Sequence, residues 1–465
     1  MMKPHLMLVP ALALSACNLA PKYVRADAPV PPSLPQGAAY PSLADGDSAA
    51  DRMGWREFFT DTRLQQVIAR ALTDNRDLRV ALANVERARA LYRVDRAALV
   101  PAIGASGSAS ETRASAGRVT DSFSAQAGVS AYEIDLFGRL RNQSASSFQS
   151  YLSTDEGRKS TQIALVAEVA SAWLTYAATS DALRIAEETL ASRQQTLSVN
   201  VRREANGIGT KLDVATATTA LNSAQAAVAD YKTSLAQARN ALDLLVGGAV
   251  ADDLLPSTLG DGGQMRSALP VGVSSAVLLR RPDVLAAEHD LRAAYADIGV
   301  ARAAFFPTIS LTGLLGFASG SLSSLFDGGS FQKTGSAGLS QTIFDAGATA
   351  NNLNAAKAAR EAALATYEKA IQTAFREVAD ALARRGTIDT SIAAQVSLEA
   401  NAATALRLSQ SRYDAGIANY LEPLDAQRTL YTARQSLVSA RLTKAANMVE
   451  LYRALGGGLL ETSAD

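Results

Sequence analysis

The sequence predicts a mainly α-helical chain built twice on one plan, each copy adding two strands suited to a transmembrane β-barrel. Three observations carry this. Long alanine-rich stretches keep a 3-4 apolar spacing, four segments alternate polar and apolar residues, and residues 71–101 match residues 277–307 without a gap.

Charge and composition bound the function before any element is placed. Lys+Arg 45 balances Asp+Glu 45 over 465 residues, so no bulk positive field draws the chain to nucleic acid. An aromatic content of 6% suits close-packed helices better than a deep small-molecule pocket. With His5 in the leader, His289 is the one histidine of the mature chain and Cys17 the one cysteine. No zinc or thiolate spacing can be assembled and no internal disulfide can form. Neither enzyme chemistry nor a cofactor is expected, and the "GGG" at Gly456 is too isolated to be a phosphate loop.

Residues 1–16 have the order of a secretory leader: Lys3, an apolar core from Leu6 to Leu14, then Ser15 and Ala16. Leu14-Ser15-Ala16-Cys17 resembles a bacterial lipobox, which makes Cys17 the lipidated first mature residue; by the same resemblance Asn18 fits sorting to the outer membrane. A lipid is a modest anchor at ~0.8 kcal/mol per buried CH₂. Residues 17–52, with "APVPPSLP" and "YPSLADGD", read as an extended proline-rich tether.

The first repeat, 53–250, reads helix, two strands, long helix, turn, long helix. Ile103, Ala105, Gly107 and Ala109 alternate weakly with Gly104, Ser106, Ser108 and Ser110. The alternation of Phe123, Ala125, Ala127, Val129 and Ala131 against Ser124, Gln126, Gly128, Ser130 and Tyr132 is clean. An unbroken helix from Gly138 to Asn206 would reach roughly 100 Å at ~1.5 Å per residue. After Gly207, Leu221, Ala224, Val228, Tyr231, Leu235, Ala238, Leu242 and Leu245 form an apolar seam.

A linker, 251–276, leads to the second repeat, 277–458, and a tail, 459–465. Pro282 and Asp283 in "RRPD" mark a helix start. From Thr308, Ile309, Leu311, Gly313, Leu315 and Phe317 alternate with Thr308, Ser310, Thr312, Leu314 and Gly316. The companion strand is expected from Phe331 to Ile343, with Lys333 and Gln341 spoiling its apolar side. Leu430, Ala433, Leu437, Ala440, Lys444, Asn447, Leu451 and Ala454 repeat the seam with two polar faults. The offset between copies drifts from 206 (283 − 77) to 209 (416 − 207), a single duplication rather than a solenoid array.

No run of about 18 uninterrupted apolar residues is present, so a transmembrane helix is not expected. Strands cross hydrocarbon only as closed barrels, and such barrels start at about eight strands. Chains must therefore share one barrel if the oily strand faces meet lipid. Two alternatives stay open on the residues alone: a four-stranded periplasmic sheet packed on the helices, and a lipid-anchored coiled-coil scaffold without a pore.

"LRRPDVLAAEHDLRAAYADIGVARAAFFPTISLTG", "YEIDLFGRLR", "YDAGIANYLEPLDAQRTLYTARQSL" and the lipobox together resemble the TolC family of outer-membrane efflux channels, its lipidated OprM-like and NodT-like branch. The resemblance spans Cys17 to about Gly458. It implies a homotrimer whose strands form a twelve-stranded β-barrel, continued by a periplasmic α-helical barrel. It implies a passive exit duct, with a periplasmic adaptor and an inner-membrane transporter of the RND type as partners. It also implies site residues. Asp213 matches an aspartate that bonds a tip tyrosine, matched by Tyr413. A tip arginine is missing at Ala418, with Arg412 or Arg203 as substitutes. Glu422 and Asp425 match acids that ring the lumen.

Overall fold

In the computed structural model, which describes residues 18–43, 48–115, 117–260, 263–266 and 268–463, the duplication appears as two sets of matching elements. The first set is α1 (Thr62–Asp74), α2 (Arg76–Ala97), β1 (Ile103–Arg113), β2 (Val119–Ile134), α3 (Arg139–Ala205) and α4 (Lys211–Val246). The second is α5 (Pro282–Ala303), β3 (Thr308–Ser319), β4 (Phe331–Ser340), α6 (Ala348–Asp414) and α7 (Leu421–Ala454). The leader 1–16 and Cys17 lie outside the described residues.

Two units are present, and each draws on both copies. The first contains the sheet, an antiparallel β1-β2-β3-β4 array. Its register gathers the apolar sets onto one face: Ala105, Ala127, Leu315 and Lys333 lie across from one another, as do Ile103, Val129, Gly313 and Gly335. Ser106, Gln126, Gly316 and Gln332 mark the opposite face. The outer edges of β1 and β4 pair with no described strand.

Two details differ from the alternation read in sequence. A bulge between Val129 and Tyr132, with Ala131 at φ 52°, inserts an extra residue and shifts the register. Tyr132 thereby pairs with Leu311 and joins the apolar face instead of the polar one, and its hydroxyl donates to Leu99 O at 2.9 Å. β4 ends at Ser340 rather than Ile343, because Ser340 already pairs with Thr308, the first residue of β3. Ile343 and Phe344 are left exposed beyond the ladder.

The N-terminal segment is docked rather than a free tether. In the first unit Glu288, only 2% exposed, accepts from Tyr23 Oη at 3.1 Å, from Arg25, and from Arg292 at 2.5 Å. Burial would raise the Glu288 carboxyl, but hydrogen bonding and charge from Arg25 and Arg292 hold it below its ordinary value. Burial and this carboxylate push the Tyr23 hydroxyl up to about 12. In the second unit Leu34 N donates to Val273 O, so the tether pairs with the inter-repeat linker. Proline rigidity allows this, since an extended strip loses little entropy on docking.

The second unit holds the main core, where Trp55, Phe58, Phe59, Trp173 and Tyr452 are buried. Tyr452 stacks on Phe58 at 4.1 Å and donates to Met53 O at 2.6 Å. The seam residues of α4 and α7 are buried or half-buried throughout. Both polar faults have partners on α6: Asn447 Nδ2 donates to Ala381 O, and Lys444 pairs with Asp389 at 2.6 Å. α3 is apolar enough over one stretch to cross a bilayer by composition; the helix also buries Val166, Val169, Trp173 and Leu174 in this core. Arg281, which sequence treats only as part of a helix-start string, is 5% exposed and binds Asp283, Glu377 and the C-terminal carbonyl of α7 at Ala454.

Candidate functional site

Two helix hairpins end in glycine turns inside the second unit: α3 to α4 through Asn206–Thr210, and α6 to α7 through Ala415–Tyr420. Their backbones are copies of one another. Gly207 N donates to Glu204 O and Ile208 N to Arg203 O; Gly416 N donates to Tyr413 O and Ile417 N to Arg412 O. Gly207 at φ 74° and Gly416 at φ 75° occupy the left-handed region that closes such helix ends.

Equivalent positions have diverged in what they bind. Asp213 closes a capping box with Thr210, accepting from its backbone N at 3.0 Å and its Oγ1 at 2.7 Å. Its counterpart Glu422 instead faces Arg412, at 3.7 Å, a partly exposed pair worth little in stability. Asp425, one turn along α7, is exposed. Arg412 thus meets Glu422, whereas Ala418 contributes its backbone N–H to Arg412 O.

The expected Asp213–Tyr413 hydrogen bond is not made within this chain. Tyr413, 6% exposed, donates its hydroxyl to Asn200 Oδ1 on α3 at 2.8 Å. Asp213 is held by Thr210, because an N-terminal helix cap satisfies the carboxylate locally before it can reach across. Arg203 covers the Tyr413 ring at 4.8 Å, and Tyr420 approaches it at 5.9 Å. Burial pushes the Tyr413 hydroxyl up; Arg203 opposes that rise and Asp213 adds to it. Tyr413 and Tyr420 share a small apolar cluster with Ala217 and Leu424.

Asn200, Tyr420 and Arg203 are therefore the close partners of Tyr413. Sequence carried one signal for Asn200: Leu183, Leu190 and Leu197 are seven apart on α3, and Asn200 lies three residues after Leu197, on the same face. Nothing in the sequence singled out Tyr420. No group of three or more His, Cys, Asp or Glu among the described residues is arranged to hold a metal ion.

A sheet with one oily and one polar face, joined in the same chain to long paired helices ending in polar turns, defines a membrane channel protein rather than an enzyme. The family described as outer membrane efflux protein matches residues 67–248 and 273–457, and the chain belongs to it. It is 42% identical to a probable efflux pump outer membrane protein, TtgC of Pseudomonas putida, covering 97% of this chain and 95% of that one. The crystal structure of a membrane protein from Pseudomonas aeruginosa is 38% identical with a TM-score of 0.87, covering 95% of this chain and all of that one. The open state of the MtrE outer membrane channel of Neisseria gonorrhoeae is 36% identical with a TM-score of 0.87, covering 97% and 100%. The fold is that of this channel family, a helical barrel with a β-barrel, and its place is the outer membrane.

Proposed function

We propose that the chain is the exit duct of a tripartite efflux pump: a homotrimer that passively conducts small molecules out of the cell. A periplasmic adaptor docks it to an inner-membrane transporter of the RND type, which supplies the energy, and a lipid on Cys17 adds an anchor.

The observation that carries this is the four-stranded sheet with segregated faces and two unpaired edges. In hydrocarbon those edges must pair, and four strands cannot close on themselves. Joining β4 of one chain to β1 of the next satisfies every edge, and three copies make a twelve-stranded barrel. The apolar face then meets lipid and Thr308, Ser310 and Thr312 line water. Relatives 42% identical to the chain are described as toluene and antibiotic efflux pump proteins, which supports drugs and solvents as cargo.

In this reading the turns form a gate. Tyr413, with Asn200 and Arg203, latches α6 to α3, while Asp213 and Arg412 brace their own hairpins. Glu422 and Asp425, both exposed on α7, ring the narrow water path in three copies. Such a ring favours cations over anions.

Planar-bilayer recording of the purified protein tests both parts. Discrete conductance with cation preference is expected, and Glu422→Gln with Asp425→Asn should reduce that preference and block by multivalent cations. A monomer without conductance would overturn the duct; unchanged selectivity in the double variant would return both acids to solvated surface.

A further inference from the structure

We propose that Arg193 anchors a binding site for a small inorganic anion between α3, α4 and α7. The side chain is 5% exposed, and its Nη1 has no hydrogen-bond partner. Tyr420 stands beside it as a polar neighbour, but a neutral hydroxyl supplies no counter-charge. Glu188, five residues earlier on α3, is engaged by Arg184 at 2.7 Å and by Arg434 at 3.7 Å. A guanidinium buried without a counter-charge is strongly unfavourable, so something must neutralise it.

The space for that counter-charge is present. Arg193 lines a cavity of about 170 Å³ together with Thr189, Ser223, Arg428, Tyr431 and Thr432. The remaining lining of this cavity is alanine; Arg193 also lines a smaller cavity of about 80 Å³ with Gln427 and with Glu188, whose carboxylate is already shared by Arg184 and Arg434. Arg428, Ser223 and Thr432 are exposed, so the cavity has an accessible rim and a buried, cationic floor. Ser223 and Thr432 hydroxyls can rotate to donate inward. Two guanidiniums and hydroxyls without an acid are the donor set of an anion site.

The electrostatics agree with this geometry. Burial pushes the Arg193 guanidinium down, Tyr420 offsets part of that, and the like charge of Arg428 adds to it. Water could fill the cavity but would not neutralise it. A bound anion would draw α7 onto α3 beside Tyr420, whose ring contacts Tyr413 of the proposed latch. Anion concentration would then shift the stability of this region by mass action.

Bromide soaked into crystals of the assembled protein should give an anomalous peak within hydrogen-bond reach of the Arg193 guanidinium. Replacing gluconate by chloride at constant ionic strength should raise the heat-unfolding midpoint saturably, by about 2 °C or more. Arg193→Met should abolish both responses, and Arg428→Gln should weaken the half-saturating concentration several-fold. Water alone, or a neighbouring subunit's carboxylate, at Arg193 in bromide-soaked crystals would overturn the proposal. So would an identical chloride response in wild type and Arg193→Met. Should Arg193→Met fail to assemble, bromide density in the wild type decides the question.

Discussion

Two buried polar contacts set what single side chains do here. Tyr413 donates to Asn200 across two helices, and losing one partner leaves the other desolvated. Tyr413→Phe should therefore weaken the proposed closed state by ~1–3 kcal/mol per chain. Leak conductance should rise while the trimer yield stays constant, whereas Asp213→Ala should act mainly on the cap of α4, costing ~1 kcal/mol. Equal leak from both variants would mean that Asp213 also latches the tip. Glu288 is the second case. Glu288→Ala removes the shared acceptor of Tyr23, Arg25 and Arg292, and since both arginines are partly exposed and can be solvated, the main expected effect is release of residues 18–27 to proteolysis. The Glu288 carboxyl sits below its ordinary value when folded, so its contribution is complete above the unfolded carboxylate range. It is lost as pH falls through the lower folded value. Acid should release the segment in the wild type, and Glu288→Gln should lose that pH dependence.

Strands and helices were legible to different depths. The apolar set of β3 stood in the sequence as Ile309, Leu311, Leu315 and Phe317, and the strand spans Thr308–Ser319. Alternation alone could not reveal the bulge after Val129, because a bulge depends on what the neighbouring strand offers. Face identity predicts a graded cost. Val129→Arg on the oily face should impair insertion by ~2–4 kcal/mol if it lies near the bilayer midplane, while Gln126→Arg on the polar face should be far milder. Folding yield into liposomes measures this, and similar losses at both sites would place the sheet outside lipid. The helical seams were easier to read, since a 3-4 repeat is local. Their polar faults, Lys444 and Asn447, were visible as exceptions, but their partners Asp389 and Ala381 on α6 were not.

For the chain as a whole, the proposed edge closure would outweigh the proposed anchor. Pairing two strand edges and burying helix faces involves far more surface than one lipid. On the proposed reading of a lipidated trimer, Cys17→Ser should abolish acylation yet leave the trimer intact in crosslinking; a monomeric variant would show that the lipid is needed for assembly. The tether adds protein contacts of its own, through Tyr23, Arg25 and Leu34.

The sequence by itself determined the duplication, the long helix between Gly138 and Asn206, the apolar seams and the two glycine turns, because periodicity and αL glycines are local properties. It also determined the family, through strings such as "RRPDVLAAEHDLRAAYADIGVARAAFFP". The tertiary structure alone decided which side chains meet across helices. Tyr413 met Asn200 rather than Asp213, Arg281 joined α5 to the end of α7, and Arg193 was left buried with no carboxylate paired to it among the described residues. Such pairings join residues far apart in the chain, and helix packing brings them together by geometry that spacing along the sequence does not encode.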